Sequence, residues 1–116
     1  MSAVTIYHNP RCSKSRQTLA LLEEQGITPE VVLYLEAPPS PDALAGLIAK
    51  LGITPWALLR RGEAEFKALG LNQDMSDAAL IDAMVSHPKL IERPIVVVGN
   101  RAALGRPPEQ VLDILP

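Results

Sequence analysis

An α/β fold running β-α-β, then a helical middle, then β-β-α is the class this sequence predicts, and three observations predict it. Ala3 to Tyr7 reads as a short strand, Ser13 to Gln25 has helical spacing, and Glu30 to Leu35 is a second run rich in β-branched and aromatic residues. Between residues 40 and 88, helix start and stop signals recur. Pro94 to Val98 is a continuous apolar run suited to a buried strand, and Gly99-Asn100 turns it into Arg101 to Leu104.

Each element has its own signal. In the first helix Leu19, Leu21 and Leu22 form the apolar stripe, and Gly26 supplies the stop. A β-α-β opening favours parallel strands joined by a right-handed crossover, with the strand-to-helix loop at the carboxyl edge of the sheet, where α/β proteins bind ligands. Ser40-Pro41 is a capping residue followed by proline at the first helical position. Leu44, Leu47, Ile48 and Leu51 then share one face before Gly52. Thr54-Pro55 repeats the start signal, Gly62 and Gly70 punctuate, and Ser76 opens a helix carrying Leu80, Ile81, Met84 and Val85 before His87-Pro88. Residues 40–88 are thus expected to form an all-helical insert within one domain spanning residues 1–116. Pro107 and Pro108 start a terminal helix expected to turn Val111, Leu112 and Leu115 inward.

Composition narrows the function. A chain of 116 residues with 47% apolar and 21% charged residues is one ordinary globular domain. It can bury roughly two thirds of the surface its unfolded form exposes. A formal net charge of -2 excludes the overall basic footprint of a nucleic-acid binder, yet seven of the eleven cations are arginines, the side chain suited to forked recognition of oxyanions. Met1 to Tyr7 has neither a basic region nor a long apolar run, and no stretch approaches the ~20 apolar residues that span a bilayer. The expectation is a cytoplasmic protein without membrane or nucleic-acid partners.

Cys12, in "NPRCSKSR", is the only cysteine, so no internal disulfide can form. A lone cysteine is commonly a small buried hydrophobe. This one stands between a strand and the first turn of a helix, where unpaired backbone N–H groups and the helix dipole favour negative charge. Arg11, Lys14 and Arg16 flank it, and His8 lies just upstream. Ser13, Ser15 and the main-chain N–H groups of that turn can also face a tetrahedral oxyanion. The spacing Cys12-Ser13-Lys14-Ser15 is a C-x-x-C redox motif with serine for its second cysteine, so an adduct on Cys12 must be released by an external thiol. Arg60, Arg93 and Arg106, taken singly, read as solvated surface cations.

Taken together, "IYHNPRCSKSR", "YLEAPPS", "ALLRRGE", "HPKLIERPIVV" and "GRPPEQVLDIL", in this order, resemble the ArsC-type, glutaredoxin-dependent arsenate reductases, and within them the YfgD-like branch. The resemblance covers nearly the whole chain. It implies a thioredoxin-like fold with an inserted helical subdomain, and reduction of arsenate to arsenite with glutathione and glutaredoxin as external reductants and no bound cofactor or metal. The family's nucleophile falls on Cys12, its oxyanion-binding arginines on Arg60, Arg93 and Arg106, and the histidine that modulates the thiol on His8. Ser15 and Arg16 match residues near the bound anion. Proline opening this strand is cis and faces the thiol in thioredoxin-like folds, so Arg93-Pro94 is expected to be cis. Where the best-described members carry Gly-Thr after the cysteine, this chain has Ser13-Lys14. The family also contains Spx-like regulators that bind RNA polymerase, many with C-x-x-C at this loop. A monothiol thiol-disulfide oxidoreductase would need Cys12 but not the arginines.

Overall fold

The computed structural model describes residues 3–116. Among these, four strands form one sheet in the order β2-β1-β3-β4. They are β1 (Val4–Tyr7), β2 (Glu30–Val32), β3 (Ile95–Val98) and β4 (Arg101–Leu104). β1 pairs parallel with β2 and antiparallel with β3, and β3 pairs antiparallel with β4. The arrangement is thioredoxin-like.

The chain divides into two compact units, Met1–Ala37 with Arg93–Pro116, and Pro38–Glu92. The first holds the sheet and α1 (Ser13–Glu24). Alternation along β1 turns Val4 and Ile6 inward, and register places them opposite Val98 and Val96. These four residues join Leu22 of α1 with Val111 and Ile114 in one buried cluster. Gly26, at φ 78, ends α1 with a left-handed turn that residues bearing a Cβ rarely take.

Three expectations are corrected here. β2 stops at Val32 instead of reaching Leu35, because β1 offers it partners only at Thr5, Ile6 and Tyr7. The last bond of this ladder is His8 N–H donating to the Val32 carbonyl at 2.9 Å, after which β1 leaves the sheet. Residues 33–36 have no neighbour to pair with and form a turn that buries Tyr34 and exposes Leu33 and Leu35. The terminal segment Pro108–Ile114 is a 3₁₀-helix. Its three-residue period buries Pro108, Val111 and Ile114, leaving Leu112 exposed and Leu115 only partly covered. α1 buries Ser15, Thr18 and Leu22, a stripe one step round from the expected leucines. Leu19 and Leu21 are only partly buried.

The second unit contains α2 (Pro41–Leu51), α3 (Pro55–Leu58), α4 (Ala64–Ala68) and α5 (Asp77–Ser86). Ser40, Thr54 and Ser76 each cap a helix through the side-chain oxygen, and proline follows the first two. Leu44, Leu47, Ile48, Leu58, Leu80 and Met84 are buried on these helices. One non-helical feature stands among them, an antiparallel bridge between Leu59 and Ile91. It is bordered by Arg60 N–H to the Leu90 carbonyl at 2.8 Å and Glu92 N–H to the Leu58 carbonyl at 3.0 Å.

Candidate active site

The loop between β1 and α1 is held by its own hydrogen bonds. Cys12 N–H donates to the Asn9 carbonyl at 3.0 Å, and the Asn9 side chain accepts from Arg11 N–H at 3.0 Å. Cys12 then takes the capping position of α1 with extended backbone (φ -96, ψ 124) and no side-chain cap bond. That position usually carries Ser, Thr, Asp or Asn. With a thiol there, the first-turn amides, which have no intrahelical acceptor, remain available to an anion.

Cys12 itself is 8% exposed. The sequence pointed to an open polar surrounding, and the structure divides it: Arg11, Ser13, Lys14 and Arg16 are exposed while the cysteine between them is covered.

Ser15 is fully buried, and its hydroxyl is committed to the loop. It accepts from Asn9 N–H at 3.0 Å and lies 2.6 Å from His8 Nδ1. Arg16 Nη1 donates to the Pro10 carbonyl at 2.9 Å, tying the same loop from outside. Ser15 and Arg16, expected near the bound anion, thus brace the cysteine loop in this structure. His8 is buried, and desolvation, followed by the Arg16 guanidinium, holds it below the ordinary histidine value of 6.5. His8 is therefore neutral at pH 7.

A pH dependence follows from that shift. The unfolded chain takes up this proton near the ordinary value, and the folded protein takes it up only at lower pH. Its effect on stability is therefore nil above the unfolded value and becomes a loss as pH falls towards the folded one. Urea midpoints of the parent protein should decline between about pH 7 and pH 5 more steeply than those of His8→Gln. Parallel declines would contradict this.

Arg93 and Pro94 lead into β3, and the peptide bond between them is cis. A second cis bond, Arg106–Pro107, was not anticipated. Arg106 Nη1 donates to the Arg93 carbonyl at 3.3 Å, so these two expected anion ligands stand together. The Arg93 Nε and Nη1 atoms are shielded from solvent. Arg60 belongs to the helical unit, where Glu63 and Glu92 flank its guanidinium at 2.6 Å and 3.6 Å.

Sequence reasoning missed four residues here. Thr18, fully buried, donates its hydroxyl to the Lys14 carbonyl at 2.8 Å and lies 3.5 Å from the Gly105 carbonyl. Gly105 packs so closely that a Cβ added there would collide with Thr18 Oγ1 and would meet Pro94 Cγ at 2.7 Å. The detectable signal was Ser15, Thr18 and Leu22 at helical spacing, and a glycine placed just before Arg106-Pro107. Glu63 and Glu92 are the other two. Among the described residues no group of three or more His, Cys, Asp or Glu could hold a metal ion, and no helix is long and apolar enough to cross a membrane.

The sheet, with one thiol at the head of its first helix, defines a thioredoxin-like thiol protein. More particularly, the chain belongs to the ArsC family, whose family model matches residues 7–114. It is 55% identical over 114 residues to an uncharacterized Escherichia coli K12 protein, YfgD, an alignment covering 97% of this chain and 96% of that one. An arsenate reductase from Escherichia coli is 54% identical over 117 positions, covering 100% of this chain and 83% of its own. Among solved structures, an arsenate reductase from Vibrio cholerae superposes with a TM-score of 0.95 at 56% identity and 98% coverage of both chains.

Proposed function

We propose that this chain is an arsenate reductase of the cytoplasm that uses Cys12 as nucleophile and borrows its remaining thiols from glutathione and glutaredoxin. The observation that carries the reading is the position of the only cysteine: it caps α1 without a side-chain cap bond, while His8, Asn9, Ser15 and Arg16 are paired within the loop that holds it. Relatives named arsenate reductase, at half identity or more across this chain, support it.

In this reading the Cys12 thiolate attacks the arsenic of a bound arsenate, an arsenate oxygen leaves as water, and a sulfur–arsenic bond forms. Arg60, Arg93 and Arg106 balance the charge of the oxyanion, and the first-turn amides of α1 hold its oxygens. Ser15 and Arg16 keep the loop in position, and His8, held against the Ser15 hydroxyl, modulates the thiol. Glutathione then attacks the adduct. The two sulfurs join as a disulfide and two electrons pass to arsenic, which leaves as arsenite. One arsenate, one Cys12 thiol and one glutathione thus give one arsenite, one mixed disulfide and one water. Glutaredoxin removes glutathione from Cys12 by thiol-disulfide exchange and restores the thiol.

Steady-state arsenite production, with each thiol donor omitted in turn, tests this. Activity should need both glutathione and glutaredoxin. Arg60→Ala should weaken arsenate reduction while leaving exchange on a glutathionylated test disulfide intact. No arsenite under complete conditions would sink the proposal, and an Arg60→Ala variant with both activities undiminished would favour a general monothiol exchanger.

A further inference from the structure

Arg60 is not presented bare. The segment Arg60-Arg61-Gly62-Glu63 is a tight turn closed by Glu63 N–H to the Arg60 carbonyl at 3.3 Å. This turn brings the Glu63 carboxylate back onto the guanidinium, with Oε1 accepting from Nη1 at 2.6 Å. From the other side, the Leu59–Ile91 bridge puts Arg60 and Glu92 on one face of a two-stranded pairing, with Nε 3.6 Å from Glu92 Oε1. One guanidinium thus sits between two carboxylates, and the trio carries a net charge of -1, from one positive and two negative groups. An incoming oxyanion reaches the Nη1 end of the guanidinium fork only if the Glu63 carboxylate gives way.

The two carboxylates are not equally placed to do so. Glu92 is fixed through its backbone N–H to the Leu58 carbonyl in the bridged pairing, and its ion pair with Arg60 is long. Glu63 holds the guanidinium through a short direct bond, sits 30% exposed, and follows Gly62, around which a side chain would find open space. Such i,i+3 pairs are weak in water. A doubly charged oxyanion with two oxygens to offer the guanidinium fork can outcompete a single carboxylate, while a singly charged ion such as chloride cannot.

We propose that Glu63 is a specificity-determining residue: its carboxylate occupies Arg60 in the resting protein, and the substrate oxyanion must displace it. The inference rests on Arg60 being an oxyanion ligand. Glu63 thereby sets a threshold: a ligand must offer the guanidinium more than one carboxylate does, which a multiply charged, fork-matching oxyanion can and chloride cannot.

Equilibrium calorimetry of inorganic arsenate, without any thiol donor, reads this apart from turnover. Glu63→Gln should bind arsenate about threefold to fivefold more tightly than the parent, a gain equivalent to about 1 kcal/mol at the upper end. It should also let chloride compete measurably with arsenate. Adding Arg60→Ala should erase the gain. Unchanged or weaker arsenate binding by Glu63→Gln, or the same gain without Arg60, overturns the inference while the arsenate reading stands. A lower melting temperature with no gain in affinity marks the pair as a structural tie and overturns it too. If neither the parent nor the variant binds arsenate, both the inference and the reading it rests on fail.

Discussion

Cys12→Ser is expected to lower arsenate reduction by at least about 10³-fold, to the limit of detection, without unfolding the protein. The size of the effect follows from the count of thiols. No second cysteine can take over, and a serine hydroxyl at neutral pH supplies almost no alkoxide to attack arsenic. Nor can it form the disulfide that delivers two electrons. Structure argues that the loss is chemical: position 12 caps α1, and serine is among the residues best suited to cap a helix. The variant should therefore melt no lower than the parent. Arsenite production and thermal unfolding, measured on the same preparation, check both halves. A residual rate above about 1% of the parent would contradict the assignment of Cys12.

Gly105→Ala carries the largest expected effect on stability. The added methyl would collide with Thr18 Oγ1 and would lie 3.0 Å from Thr18 Cγ2 and 2.7 Å from Pro94 Cγ. Thr18 is fully buried in α1 and Pro94 is buried at the entry to β3, so neither group has a free direction in which to move. Overpacking of this kind costs about 3 kcal/mol at its upper range. For a chain of this length that is a drop in melting temperature on the order of 10 °C. The coupling is local: Thr18→Ala in the same chain should recover part of the loss, giving a strongly non-additive double-mutant cycle. Additive losses, or a melting temperature within a degree or two of the parent, would show that the helix can retreat from Gly105. Function should suffer as well, because Gly105 precedes Arg106 and Thr18 belongs to the helix that Cys12 caps.

Much of the fold was legible because its signals are local. Ser40-Pro41, Thr54-Pro55 and Ser76 announce helices that do form, each capped by the residue named. Gly26 ends α1, and the Ile95–Val98 run lies in the sheet centre. What failed depended on partners remote in sequence. Leu33 and Leu35 have strand propensity, but whether they extend β2 is decided by where β1 leaves the sheet at His8. Val111 and Leu112 are alike in composition, and the 3₁₀ period alone chooses which of them is buried. Ser15 and Thr18 are polar yet form part of the buried stripe of α1, because their hydroxyls find partners in the loop and at Gly105.

The candidate site divides the same way. The place of Cys12 at the head of α1 could be read from its neighbours, and Glu63, three residues beyond Arg60, was within reach of a turn argument. Glu92 was not, since only the Leu59–Ile91 bridge brings it to Arg60.

The central claim is that this protein begins its reaction on its own sulfur and finishes it on another's. Intact-mass analysis after a single turnover, with arsenate and glutathione present and glutaredoxin withheld, tests that most directly. The account predicts one glutathione joined to Cys12 for each arsenite formed, removed when glutaredoxin is added. Arsenite released while Cys12 stays unmodified would contradict it.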